Sequence, residues 1–312
     1  MSAGRKNTRR RGHTTRNTFI SIVALAILAI YFYTTEGDRS APPDIVQTPA
    51  PALIGENEIW VHFIDLGQAD GVLLQSRQNA VLIDGGELKT RDTLINYLRS
   101  TGITSLDYVV ATHPHSDHIG GLPPVIQQFD VKNVLMPDAI HTTATFENLL
   151  AAVEDKGLSV TVPAVGDTIT AGIIRLIVLA PGKEFKDLNN MSIVLRMLHG
   201  ETAFLFTGDA EELSEKEMLG SGQNLRADVL KAGHHGSRTS TSADFLDAVR
   251  PATVVVMCGR GNSYGHPHKE FFERVGQPER KITIFRTDES GTIVMTTDGQ
   301  GIKLYIIERG AS

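Results

Sequence analysis

Residues 106–121 read LDYVVATHPHSDHIGG: an apolar run stops at Ala111 and gives way at once to three histidines and an aspartate within the six positions His113 to His118. Alternate residues of an extended segment project to the same side, so His113 and His115 can reach one point. Gly120, Gly121 and Pro123 predict a turn into a helix, which lets Asp117 and His118 aim at a neighbouring point. Imidazole and carboxylate suit Zn²⁺, and equally Mn²⁺ or Fe²⁺. The spacing therefore suggests two adjacent divalent ions. A loop of scattered surface histidines is the competing reading, but this segment takes three of the eleven histidines in the chain. With Cys258 as the one cysteine there is no intrachain disulfide and no cysteine-rich zinc module, so any metal must be held by histidines and carboxylates.

The surroundings read as a domain of mixed class. Short apolar or alternating runs, each bounded by Gly, Asp or Asn, predict strands over 59–65, 71–75, 80–83, 108–111, 133–136, 173–179, 192–198, 203–207, 229–231, 253–257, 282–285, 293–297 and 302–306. Helical patterns fall at 91–99, 123–128, 145–156, 211–219, 242–249 and 269–273. Strand-rich stretches mixed with single helices imply an α/β fold of two sheets with helices outside, and no internal repeat is evident. The chain of 312 residues, 41% hydrophobic, suffices for one large domain or two small ones.

The N-terminus is organised differently. Residues 1–17 form a basic arm, 18–35 an uncharged apolar segment of roughly bilayer-spanning length, and 36–57 a Pro-rich linker, before a domain over 58–312. Positive charge on the N-terminal side predicts a single-pass membrane anchor with a cytoplasmic N-terminus and an extracytoplasmic domain. Cleavage and secretion is the alternative, disfavoured because no good A-x-A site follows. The net charge of -6 weighs against a general positive field for nucleic acid, although it leaves room for a local basic groove. No protein partner is predictable.

HPHSDH matches the HxHxDH signature, and the chain resembles the metallo-β-lactamase fold superfamily, an αββα sandwich with its metals at one edge. IDLGQADGVLLQ, VLIDGG, FLFTGDAE, VLKAGHHGS and NSYGHPH are similar, in that order, to motifs in the hydrolase domain of ComEC-type DNA-uptake proteins. In place of the multi-span channel of those proteins, a single anchor is expected before the hydrolase domain. The resemblance implies that Asp209 bridges both metals, the competing reading being a helix N-cap, and that His234 is the late histidine ligand, with His235 an alternative ligand or substrate contact. One ion would take His113, His115 and Asp209, the other Asp117, His118, Asp209 and His234. Where many superfamily members carry a further histidine this chain has Asn190 in Asn189-Asn190-Met191-Ser192, so the first ion should bind more weakly. Asp84 would orient a ligand histidine or simply end a strand.

Two such metals can activate a bridging hydroxide as the nucleophile, with Asp117 orienting it or moving its proton. Lys231, His235, Ser237 and His266 lie in or near the late motifs and are candidates for holding phosphate oxygens, as are Arg238, Tyr264 and His268. Relatives with this motif set are implicated in cutting DNA strands or other phosphodiesters. The expected function is thus a binuclear hydrolase, with Zn²⁺ first and Mn²⁺ second, acting on a phosphate ester such as single-stranded DNA or a nucleotide. The alternatives are a lactonase or other envelope esterase of the same fold, and a non-catalytic binding module.

Overall fold

A computed structural model describes Met1, the pair Asp44–Ile45 and residues 53–307. The basic arm, the apolar segment 18–35 and most of the linker lie outside the described residues, and among the described residues no helix is long and apolar enough to cross a membrane. The chain divides into two compact units, 1–39 and 40–312, and the second carries everything below.

Alternation dictates the layers. Along Val72–Gln75 and Ala80–Ile83, Val72, Leu74, Val81 and Ile83 point into a core shared with a second sheet, while Leu73 and Leu82 point to the opposite face. That is the period of two of a strand buried on both sides. The first sheet runs in the order Asp44–Ile45, Ile302–Ile307, Thr292–Thr297, Ile59–Phe63, Val72–Gln75, Ala80–Ile83, Tyr108–Val110, Val134–Leu135, Val160–Thr161. The second runs Thr168–Ala171, Ile174–Ala180, Val194–His199, Thr202–Phe206, Val229–Lys231, Thr253–Val256, Thr283–Arg286. Both are mixed. Ala80–Ile83 onward is parallel in the first sheet, and Thr202–Phe206 onward in the second.

Three apolar clusters fill the layers. One lies between the sheets, with Phe63, Met197, Phe204 and Phe206 among its largest members. A second joins the outer face of the first sheet to the helices Arg91–Ser100, Leu122–Gln128 and Ala144–Asp155 through Leu94, Leu98, Val125, Ile126, Phe146 and Leu149. The third joins the second sheet to Glu212–Gly220, Ala243–Val249 and Lys269–Val275 through Met218, Phe245, Leu246 and Phe271. The result is the expected α/β sandwich, helices outside two sheets.

Thr168–Ala171 and the two-residue strands Asp44–Ile45, Ser105–Leu106, Asp130–Val131 and Val160–Thr161 go beyond the expected set, as do the single-turn helices Ser116–Ile119 and Thr287–Ser290. Such pieces are shorter than the windows in which periodicity registers. Asp44–Ile45, inside the expected linker, pairs in parallel with Lys303 and Leu304.

The glycines of VLIDGG and HIGG meet where the ligand-bearing loops leave the first sheet. A Cβ on Gly121 would stand 2.1 Å from Gly85 O, and one on Gly85 3.1 Å from Leu122 N. At Gly121 the obstacle is backbone, with no flexible side chain to yield, whereas at Gly85 the nearest atom is Leu122 Cδ2, at 2.6 Å. Gly121→Ala is expected to lower stability by about 2 to 3 kcal/mol, read as a fall in Tm of several degrees; an unchanged Tm would show that the loops separate freely.

Candidate metal centre

The candidate ligands collect at carboxyl ends of parallel strands, the usual location of sites in open α/β sheets. Asp84 follows Ala80–Ile83, His113 to His118 follow Tyr108–Val110, Asp209 follows Thr202–Phe206, and His234 and His235 follow Val229–Lys231. Asp84, His234 and His235 have left-handed backbones, with φ of 59°, 43° and 54°. Such residues cost roughly 1 to 2 kcal/mol each, so the surroundings must hold them there. Asp84 is held by its own carboxylate, which accepts from the Thr112 amide at 2.8 Å and from Thr112 Oγ1 at 2.7 Å.

Asp209 is the hub. His118 Nε2 lies 3.2 Å, His235 Nε2 3.6 Å, His113 Nε2 3.8 Å and His234 Nε2 3.8 Å from Asp209 Oδ2. Each ring is fixed from behind by an acceptor on Nδ1. His118 Nδ1 donates to Asp84 Oδ2 at 2.8 Å, His235 Nδ1 to Met257 O at 2.9 Å, and His234 Nδ1 to Glu211 Oε1 at 2.7 Å. His113 Nδ1 is 3.2 Å from Thr112 Oγ1, whose own proton goes to Asp84. Acceptors behind Nδ1 force the Nδ1–H tautomer and turn Nε2 lone pairs inward, as around bound metals. His113 Nε2 also lies 3.0 Å from His115 Nδ1.

The cluster fits a cation. Asp117, His118, Asp209 and His235 each offer an atom within 4.8 Å of the others. Two donors about 2.0–2.2 Å from a tetrahedral ion stand about 3.3–3.6 Å apart. The pairs here are separated by 3.2 Å (Asp209 and His118), 3.2 Å (Asp117 and His235), 3.6 Å (Asp209 and His235) and 3.8 Å (Asp117 and His118). His118 Nε2 and Asp209 Oδ1 are buried with no hydrogen-bond partner among the described residues. Buried orphans of that kind are costly unless something binds them.

Electrostatics agree. Burial opposes a charge on His235, but Asp209, Asp70 and Asp117 outweigh it and push its pKa up to about 10. His118 is likewise raised well above the usual histidine value, its burial overcome by Asp209, Asp84 and Asp117. Burial would raise Asp209, yet His118, His235 and His234 hold it well below the carboxylate range. Protons thus occupy the cluster where a metal would otherwise supply the positive charge.

The structure separates the residues singled out in the sequence. His113, His115, Asp117, His118 and Asp209 come together. Of the adjacent pair, His235 joins the four-residue group, in place of the expected His234, which sits on Glu211 with its side chain 25% exposed. Asp84 contacts His118, while Asp209 caps no helix: the helix Glu212–Gly220 has Glu211 at its N-cap position. Asn190 Oδ1 instead accepts from the Glu211 and Ser214 amides at 3.2 and 3.0 Å, serving that helix's start from outside it. Lys231, only 2% exposed, is turned away from solvent: it pairs with Asp70 and donates to Gly208 O at 2.7 Å, a geometry that keeps it from a substrate phosphate. Ser237 bonds Thr239 Oγ1 at 2.8 Å within its own loop, whereas His266 packs against His235 and His234.

Asp70 and Glu211 were not expected in these roles. Asp70 lies 3.3 Å from His235 Nδ1 and 3.8 Å from His118 Nδ1, and its signal was the motif GQAD. Glu211 had no signal beyond its place two residues after Asp209.

A two-sheet α/β sandwich with a His/Asp cluster at the carboxyl ends of its strands defines a class of metal-binding proteins. The chain belongs to the metallo-beta-lactamase superfamily, whose family description matches residues 64–260. It is 32% identical over 262 residues to ComE operon protein 3 of Bacillus subtilis (strain 168), covering 78% of this chain and 33% of that protein. It is 31% identical over 257 residues to competence protein ComA of Neisseria gonorrhoeae, covering 81% of this chain and 34% of that one. The chain therefore spans about a third of the length of these relatives. The metallo-beta-lactamase fold protein YhfI of Bacillus subtilis superposes with a TM-score of 0.52 at 15% identity, covering 77% of this chain and 99% of that one, a likeness of fold.

Asp84→Asn is expected to weaken metal binding by about 10- to 100-fold, since it loosens the orientation of His118; equal affinities in a titration followed by metal analysis would exclude that role. Because the raised histidine pKa values must be overcome, a bound ion displaces protons, so affinity should rise with pH toward about 10, the His235 value. Calorimetry at pH 7 in buffers of different ionisation enthalpy should register net proton release; none would contradict the assignment.

Proposed function

We propose that the chain is a metal-dependent hydrolase of phosphodiesters, holding two divalent ions, Zn²⁺ first and Mn²⁺ second, with single-stranded DNA or another nucleic-acid strand as the leading substrate. The observation that carries the reading is the set of four imidazoles, each locked at Nδ1 and turned through Nε2 toward Asp209 Oδ2. We assign His113, His115 and Asp209 to one ion, and Asp117, His118, Asp209 and His235 to the other. When bound, two such ions supply Lewis acidity toward the phosphoryl oxygens and a lowered pKa for water.

The chain's own residues do the rest. Asp117 is held below the ordinary carboxylate range because His118 and His235 outweigh its burial, so it is an ionised acceptor at neutral pH. Its side chain is 29% exposed, which lets it accept a hydrogen bond from the attacking water and orient it. His234, fixed by Glu211, is assigned to hydrogen-bond a substrate oxygen at the mouth. That one relative is a competence protein and another a recombination protein of Haemophilus influenzae supports ranking nucleic acid above small esters. We also propose, from the basic arm and the apolar run 18–35, a membrane anchor with the domain extracytoplasmic.

The full chain should bind two metals per molecule, the His113/His115 ion more weakly, and should cleave bis-p-nitrophenyl phosphate and single-stranded DNA in a metal-dependent way. Asp209→Ala should reduce turnover to background. Metal binding with turnover of lactones or carboxylic esters alone would replace the phosphodiester with an envelope ester, and metal binding with no turnover would make the chain a binding module.

A further inference from the structure

GQAD and NSYGHPH, at 67–70 and 262–268, meet at the rim of the metal centre. Gln68 spans the gap: its Oε1 accepts from the Gly259 amide at 3.0 Å, and its Nε2 lies 3.3 Å from His266 Nδ1. Asn262 braces the same loop from inside. Its Nδ2 donates to Gly259 O at 2.9 Å and to His266 O at 2.6 Å, and its Oδ1 accepts from the His266 amide at 3.0 Å. His266 is therefore fixed in both backbone and ring, and only 8% exposed.

Two rings lie nearly parallel to it. His235 has its ring centroid 6.1 Å away with the planes at 28°, and Tyr264 has its centroid 5.8 Å away with the planes at 20°. Three rings thus lead from a metal-centre histidine to Tyr264, which is 67% exposed and has no other ring contact among the described residues. A braced loop that ends in an exposed ring does nothing for the core. Such a ring is the surface on which unpaired bases stack.

The backbone of Arg238 is tied to the same loop. The Arg238 amide donates to His268 Nδ1 at 3.0 Å, and the His268 ring packs against His266 with centroids 4.6 Å apart. The Arg238 side chain is exposed, and its guanidinium makes no hydrogen bond or ion pair among the described residues. It can meet a strand phosphate.

We infer that Tyr264, backed by the buried ring of His266, forms a stacking ledge for an unpaired nucleobase next to the scissile phosphate. This rests on the phosphodiesterase reading above and names the residue that would meet the bases of its single-stranded substrate.

Binding is read directly, without turnover, from the fluorescence anisotropy of a labelled oligothymidylate and of an abasic deoxyribose-phosphate strand of equal length, each with the full chain. Tyr264→Ala should weaken oligothymidylate binding roughly 5- to 150-fold, the range set by stacking one base on an aromatic ring. Tyr264→Phe, which keeps the ring, should restore it to within about twofold. The abasic strand should bind weakly to the unmodified chain and respond to neither substitution. Equal binding of the two strands by the unmodified chain, or oligothymidylate binding unchanged in Tyr264→Ala, would overturn the ledge; the strand comparison needs no variant and so decides even where a substitution unfolds the chain. Failure of the phosphodiesterase reading is separate, since it appears as absent turnover of bis-p-nitrophenyl phosphate while base discrimination persists.

Discussion

The arrangement depends on charge buried at the seam between the two halves of the sandwich. Asp70, Asp84 and Asp209 are almost fully buried, and Asp117 partly so. Carboxylates in that position are tolerable only with positive charge and hydrogen bonds close at hand. Lys231 pairs with Asp70, which joins a loop of the first sheet to a strand of the second. His118 and His235, both raised above the usual histidine value, provide the rest through protons in the metal-free chain, or the cluster does so through ions it would hold. Assembly of the centre and closure of the two halves are in this sense one event.

Strand ends make that possible. In each sheet the parallel strands deliver their loops to one edge, so residues distant in sequence meet: His235 Nε2 is 3.2 Å from Asp117 Oδ2, 118 positions earlier. The loops then approach each other by backbone, which accounts for glycine at 85, 121 and 233; a Cβ on Gly233 would stand 2.6 Å from Ala210 O. A side chain at these points would push apart the elements that carry the ligands.

Much of this could be read in advance, for identifiable reasons. Strands with strict alternation or with continuous Val, Leu and Ile, such as Ala80–Ile83 and Val229–Lys231, coincide with the expected spans because both faces of the strand meet a core. HPHSDH announces its chemistry because four donor residues in six positions have few structural uses. The choice within HHGS was not readable. It turns on a left-handed stretch from His234 to Gly236, in which the second imidazole is the buried one, close to both Asp117 and Asp209 with Met257 O behind it, while the first stays partly exposed on Glu211. Glu211 and Lys231 were equally opaque in their roles, since a lone carboxylate or lysine acquires its role from partners that arrive from other strands.

The sequence by itself determined the class of fold, the edge at which function is concentrated and the donor types that gather there, because these follow from local periodicity and from dense motifs. Only the tertiary structure decided which donors converge, which nitrogen each imidazole presents, and that Lys231 neutralises Asp70 and does not face solvent. Those outcomes are set by distances between strand ends, and such distances exist only after the two sheets have packed.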